Sequence, residues 1–374
     1  MKKIIKQMMI ILLSLLFILC IAIFAFIQHP KFGKRPSGER LEKIKQSSHY
    51  KNGEFQNLEK TTVIVEGVSF FEVFKKFLFV DNKPKVIIPS IKTDLFKLDK
   101  SKDILVWFGH SSYYMQIDGK KILVDPVLSG NASPLFFTTK AFEGSDIYTP
   151  ADIPEIDYLF ITHDHWDHLD YKTILQLKPK IKKVICSLGL GEDLEYWGYN
   201  PSLIIEKDWN EEIVLDSGFK AYTLPSRHFS GRGFVRNKTL WTSFVLQTPS
   251  LKIFMGCDGG YGTHFKEIGK TFGGFDLAIL ENGQYNKNWK NIHMQPEEVL
   301  QAAKDLHAHR VLPVHSSKFA LALHPWDEPL KRITALNTPK EFVLITPIIG
   351  EQVNLNDSTQ KFSHWWENIQ EKKK

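Results

Sequence analysis

Residues 162–170 read Thr-His-Asp-His-Trp-Asp-His-Leu-Asp, three histidines and three aspartates in nine positions, directly behind the apolar run Tyr158, Leu159, Phe160 and Ile161. Such a run reads as a buried strand, and ionisable groups gathered at its end are costly unless something binds them. An extended chain sends residues i and i+2 to the same side, so His163 and His165 face one point. Asp167 and His168 come a turn later and face a second. Imidazole nitrogen suits zinc, and carboxylate oxygen suits zinc or iron.

A pair of ions needs more donors than the four in this loop. Three later residues have the right placement, each a polar residue closing an apolar run: His228 after residues 222–225, Asp258 after 253–257 and His315 after 311–314. A sheet whose strand ends share one edge would bring them together. Asp125 is expected to brace a ligand histidine, since ligand imidazoles usually donate their second N–H to a carboxylate or carbonyl. His110 borders the site or plays a hydrogen-bonding structural part. His293 precedes a helix opening at Pro296 and either orients substrate or is structural.

Residues 8–27 are apolar apart from Ser14, about the length that crosses a bilayer, with Lys2, Lys3 and Lys6 ahead of them. We read an uncleaved single-pass anchor rather than a cleaved signal peptide, because the run is long for a signal core and no small-x-small site follows. A bacterial inner membrane is the expected location, with the side of the main domain open. Residues 29–60 read as a linker, broken by Pro30, Gly33, Pro36 and Gly38. Phe70, Phe71, Val73, Phe74, Phe77 and Leu78 fall at helical spacing, and this stripe is expected to pack on the main domain, with lying on the membrane as the alternative. The net charge of +6 is mild. Its excess among Lys31, Lys34, Arg35, Arg40, Lys43 and Lys45, and in the last three lysines, matches an anionic lipid surface better than a nucleic-acid groove. Cys20, Cys186 and Cys257 form neither a disulfide framework nor a zinc spacing. Trp365 and Trp366 either meet a bilayer interface or seal the domain.

From residue 104 onward, strand patterns recur at 104–108, 112–117, 121–124, 184–186, 213–215, 219–223, 243–247, 251–255, 277–280 and 311–314, with an Asp118-Gly119 hairpin turn. A helix from Pro296 carries Glu297 and Glu298 in its first turn and buries Val299, Ala302, Ala303 and Leu306. Strands with interspersed helices argue for an α/β layered sandwich.

His-x-His-x-Asp-His behind a hydrophobic strand resembles the metal signature of the metallo-β-lactamase superfamily. Within that superfamily, residues 107–112 (Trp-Phe-Gly-His-Ser-Ser), 123–127, 131–134, 254–261, 293–298 and 314–321 look like the N-acylphosphatidylethanolamine-hydrolysing phospholipase D family. The resemblance runs over residues 104–330. It implies a four-layer αββα sandwich, here preceded by an N-terminal transmembrane helix that the family's eukaryotic enzymes lack, and it assigns His163, His165 and His228 to one metal. Asp167, His168 and His315 go to a second, with Asp258 bridging, and Asp167, Asp258 and His293 stand as the catalytic positions. Two zinc ions, or another divalent transition metal, would activate water against a phospholipid, giving phosphatidic acid and an N-acylethanolamine. The domains implied are a basic tail (1–7), an anchor (8–27), a linker and packed extension (28–100), a hydrolase domain (101–350) and a C-terminal tail (351–374). A lactonase or other carboxylic-ester hydrolase is the alternative, and a non-catalytic metal-stabilised envelope protein is another. No nucleic-acid partner is expected.

Overall fold

Alternation along the strands decides the architecture. In Ile104–Trp107, Leu105 and Trp107 enter one apolar cluster, while Ile104 and Val106 enter another on the opposite face. Tyr158 and Phe160 divide from Leu159 and Ile161 in the same way along Ile156–Ile161. Strands that are apolar on both faces need cover on both. A computed structural model describes residues 1–216, 218–338, 340–367 and 369, and it supplies that cover with two stacked sheets flanked by helices.

The first sheet runs in the spatial order Gln352–Asn354, Ile104–Trp107, Tyr113–Ile117, Lys120–Val124, Ile156–Ile161, Ile181–Ser187, Ile204–Lys207. The second runs Val343–Leu344, Arg310–Val314, Leu277–Glu281, Lys252–Met255, Thr242–Gln247, Phe219–Pro225, Glu212–Asp216. Trp107 and Phe160 of the first meet Phe244, Met255 and Leu312 of the second in one shared core. The helices Tyr171–Leu177 and Gly191–Tyr196 cover the outer face of the first sheet through Ile174, Leu177 and Leu194. Helices His264–Phe272, Pro296–Asp305 and Glu328–Leu336 cover the second through Ile268, Val299, Ala303 and Ile333. This is the four-layer αββα sandwich expected. Asp118 and Gly119 join Tyr113–Ile117 to Lys120–Val124 at φ of 47° and 77°, the left-handed pair that a two-residue hairpin requires.

Each sheet has a parallel centre, Lys120–Val124 with Ile156–Ile161 and Ile181–Ser187 in one, Lys252–Met255 with Leu277–Glu281 and Arg310–Val314 in the other. Parallel strands deliver their carboxyl ends to one edge, where open α/β sheets bind ligands.

Four sequence expectations are corrected. Residues 29–60 are not a loose linker. They carry the helix Gly38–Lys45 and a short ribbon, Tyr50–Lys51 with Glu54–Phe55, and they dock through Ile44 and Phe55 onto Leu188, Trp209 and Trp241. Arg40 is not a lipid-facing charge, because its guanidinium meets Glu206 at 2.7 Å, Glu192 at 2.9 Å and Glu195 at 2.5 Å. The stripe at 70–78 does form a helix, Phe70–Phe79, but it does not pack as expected. Only Val73 is buried, with Phe77 stacked on Trp289, while Phe70, Phe71, Phe74 and Leu78 face solvent. The main domain does not end at residue 350, since Gln352–Asn354 pairs with Ile104–Trp107 and Trp365 and Trp366 join the shared core. The last three lysines lie outside the described residues.

The N-terminal helix spans Lys2–Ile27 with no buried residue, and it is the one helix among the described residues long and apolar enough to cross a membrane. The chain after it is pinned at once. The Trp197 indole N–H donates to the Pro30 carbonyl at 2.8 Å, and the Lys34 backbone N–H donates to Asp193 Oδ1 at 2.6 Å. Burial lifts the Asp193 carboxyl to about 7, with Asp164 adding to the rise and Arg232 opposing it. An unfolded aspartate titrates near ~3.9, so between those values the native state binds the extra proton and stability falls as pH rises. Asp193→Asn should therefore gain thermal midpoint over the parent on going from pH 5 to pH 8, measured by scanning fluorimetry. A difference that stays flat across this window would show that the carboxyl is not raised.

Candidate metal centre

The donor-rich loop is set by its first residue. Thr162, at the end of Ile156–Ile161, donates its N–H to Asp125 Oδ1 at 2.9 Å and its hydroxyl to Oδ2 at 2.6 Å. Asp125 Oδ2 also meets His168 Nδ1 at 2.7 Å, the brace expected from the sequence. One buried carboxylate thus fixes both the start of the loop and a ring inside it.

The seven residues singled out from the sequence come together. His163 Nε2 lies 2.8 Å from His165 Nδ1, and His228 Nε2 lies 3.2 Å from the same atom. His168 Nε2 and His315 Nε2 lie 3.0 and 3.1 Å from Asp258 Oδ2. Asp167 Oδ2 stands 3.7 Å from His168 Nε2, and His228 Nε2 is 4.0 Å from Asp258 Oδ2. Asp258 therefore sits between a three-histidine group and a group of Asp167, His168 and His315, with the donor atoms of each group within 4.8 Å of one another.

The nitrogens that face away are occupied. His228 Nδ1 meets the Ile292 carbonyl at 3.0 Å, and His315 Nδ1 meets Ser111 Oγ at 2.9 Å. Such partners fix tautomer and ring orientation, leaving the inward nitrogens as ligands. Burial drives the basicity of His163, His228 and His315 well down and that of His165 to about 3, so these rings are neutral and their lone pairs free. Burial also works against charge on His168, yet Asp258, Asp167 and Asp125 outweigh it and push its pKa up. The carboxylates thus demand positive charge at the point where the imidazole nitrogens converge, and this donor set fits divalent metal.

Sequence reasoning missed Glu281. It closes Leu277–Glu281 as His315 closes its own strand, so the same signal marked it. Its carboxylate takes His293 Nδ1 at 2.7 Å and the Met294 N–H at 2.6 Å, which holds His293 over the donor set with its ring stacked 5.3 Å from that of His315. His110 reaches Asp167 Oδ2 at 2.9 Å and borders the site. His110, Asp125 and His315 are non-glycine residues at φ of 53°, 41° and 68°, backbone strain of the kind that gathers at functional sites. A cavity of about 270 Å³ opens above the donors, walled by His165, His228, His293 and His315 on one side and by Val73, Phe77 and Trp289 on the other.

Fold and donor set together define a metal-dependent hydrolase of the metallo-β-lactamase superfamily, and the chain belongs to it: the beta-lactamase superfamily domain matches residues 120–316. A solved metallo hydrolase from the archaeon Ignicoccus hospitalis superposes with a TM-score of 0.50 at 21% identity, covering 67% of this chain and 97% of that one. An uncharacterized protein of Mycobacterium tuberculosis is 33% identical over 86% of this chain and 88% of its own length. The N-acyl-phosphatidylethanolamine-hydrolyzing phospholipase D 1 of Caenorhabditis elegans is 29% identical over 66% of this chain and 74% of its own. The chain falls in the branch of the superfamily that holds these phospholipases.

Proposed function

We propose that this protein is a membrane-anchored dizinc phosphodiesterase that hydrolyses N-acylphosphatidylethanolamines to phosphatidic acid and N-acylethanolamines. The observation that carries the lipid reading is the mouth of the cavity. Val73 and Phe77 of Phe70–Phe79 line it, and the same helix leaves Phe71 and Phe79 72% and 79% exposed. An exposed apolar patch rimming a site marks an interaction surface. The end of Lys2–Ile27 lies close by, since Phe26 meets Phe32 edge-on at 5.2 Å and Phe32 meets Trp166 at 5.2 Å, inside the donor loop. A bilayer crossed by that helix would lie beside the site.

In this reading His163, His165 and His228 would hold one ion, Asp167, His168 and His315 would hold the other, and Asp258 would serve both. A zinc pair held there would make water nucleophilic at neutral pH and offset phosphoryl charge. The bond from phosphorus to the ethanolamine oxygen breaks as the bond to water oxygen forms, and the proton lost by that water ends on the leaving oxygen. His293 would relay that proton. Glu281 occupies its Nδ1 and leaves Nε2 for the substrate, and burial lowers the basicity of the ring.

The reading is tested on vesicles containing N-acylphosphatidylethanolamine, with metal analysis of the same protein. Release of N-acylethanolamine that a strong chelator stops is the expected result. Lactones opened while the phospholipid stays intact would move the assignment to a carboxylic-ester hydrolase, and full turnover under chelation would end the metal reading. A finer expectation concerns the exposed helix. Burying a Phe side chain is worth about 1.5–3 kcal/mol, so Phe71→Glu with Phe74→Glu should lower vesicle hydrolysis at least about tenfold. Hydrolysis of a soluble short-chain phosphodiester should stay within about twofold of the parent by the same area argument.

A further inference from the structure

Arg232 is 4% exposed, does not line the cavity and makes no hydrogen bond to a candidate donor side chain, yet it makes three bonds to main-chain carbonyls. Its Nη1 donates to the carbonyls of Asp164 at 2.8 Å and Leu169 at 2.7 Å, which bracket His165, Asp167 and His168. Its Nε donates to the Lys31 carbonyl at 2.9 Å, in the segment that follows the apolar helix. The guanidinium lies 4.1 Å from the ring centre of Trp166 and 5.4 Å from that of Trp197. Its neighbour Gly231 donates its N–H to Asp164 Oδ1 at 2.6 Å, and the Thr239 hydroxyl donates to Oδ2 at 2.9 Å.

We infer that Arg232 is a positioning residue: it fastens both ends of the donor loop and hitches that loop to the juxtamembrane segment, so that the seating of residues 30–34 sets the geometry of the metal site. The inference rests on the metal reading above. A planar fork with several fixed donors suits this task, and a lysine ammonium cannot span the same three carbonyls. If Arg232 only balanced the buried charges of Asp164 and Asp193, its loss would lower stability and leave the loop's geometry alone.

The test uses the full-length protein, loaded with Co²⁺ as a spectroscopic probe, beside Arg232→Met, Arg232→Lys, Thr239→Val and Trp197→Phe. Arg232→Met should lose roughly 10- to 100-fold in metal affinity by chelator competition, the range for groups that orient ligands through hydrogen bonds, and its visible cobalt bands should move. In the metal-free protein, amide exchange over residues 163–170 should rise. Arg232→Lys should recover part of the affinity. Thr239→Val, and Trp197→Phe, which removes the bond to the Pro30 carbonyl, should move the bands the same way by less. Wild-type affinity and bands in Arg232→Met and Thr239→Val, whatever their thermal midpoints, overturn the proposal. Should Arg232→Met fail to fold, Thr239→Val and Trp197→Phe decide it by the same criterion. A parent protein that takes up no metal removes the underlying reading and this proposal with it.

Discussion

Asp258→Asn should bind about one ion fewer and lose roughly 10³-fold in turnover, ~4 kcal/mol of transition-state stabilisation. Its Oδ2 lies within 4.0 Å of nitrogens from both donor groups, reaching His168, His315 and His228. Asparagine keeps the size and removes the charge. The buried rings of His163, His228 and His315 are neutral, so the lost charge has no substitute among them. Metal content by emission spectroscopy and turnover on the vesicle substrate check the two halves separately. A variant retaining its full complement of metal and more than about a tenth of parental turnover, where the removal of one preorganised group ordinarily costs 10²–10³-fold, would show that this aspartate does not join the two groups.

Arg40→Ala should cost about 3–5 kcal/mol of folding stability, the range for removing one member of a buried ionic cluster. Arg40 is the single cation shared by Glu192, Glu195 and Glu206, and the side chains of Glu192 and Glu206 are only 9% and 11% exposed. Removing the guanidinium takes from Glu206 its ion-pair partner and leaves Glu192 only the exposed Lys34, 3.0 Å away. Glu206 also takes the N–H groups of Gly189 and Gly191 at 2.8 and 3.0 Å, so the disturbance reaches the end of Ile181–Ser187. Urea unfolding measures the loss. A cost below about 1 kcal/mol, the scale of a surface pair, would mean that residues 38–45 are not docked as described.

Much of the site was legible because its signals are local. Two-residue periodicity placed His163 beside His165, and an apolar run ending in a polar residue marked His228, Asp258 and His315. Glu281 carries the same mark, and its carboxylate meets His293 within reach of Asp258 and His315. Arg40 and Arg232 were illegible for a different reason. Their partners lie more than 150 and more than 60 positions away, at Glu192 and at Asp164, and nothing in a window around either arginine announces a carboxylate or carbonyl at that distance. The stripe at 70–78 told of a helix but not of what covers it, because amphipathic spacing is the same whether the apolar face meets protein or lipid. Val343–Leu344 and Gln352–Asn354 are too short to display a period at all.

The separation of the donors along the chain sets an order of events during synthesis. Four of the seven sit between residues 163 and 168, while His315 leaves the ribosome roughly 150 residues later. At about 5–20 residues per second that interval is about 7–30 s. The first sheet cannot close until Gln352–Asn354 returns to pair with Ile104–Trp107, later still. The apolar helix has emerged long before either event. Anything that engages the apolar helix during synthesis therefore meets a chain whose donor set is still half built.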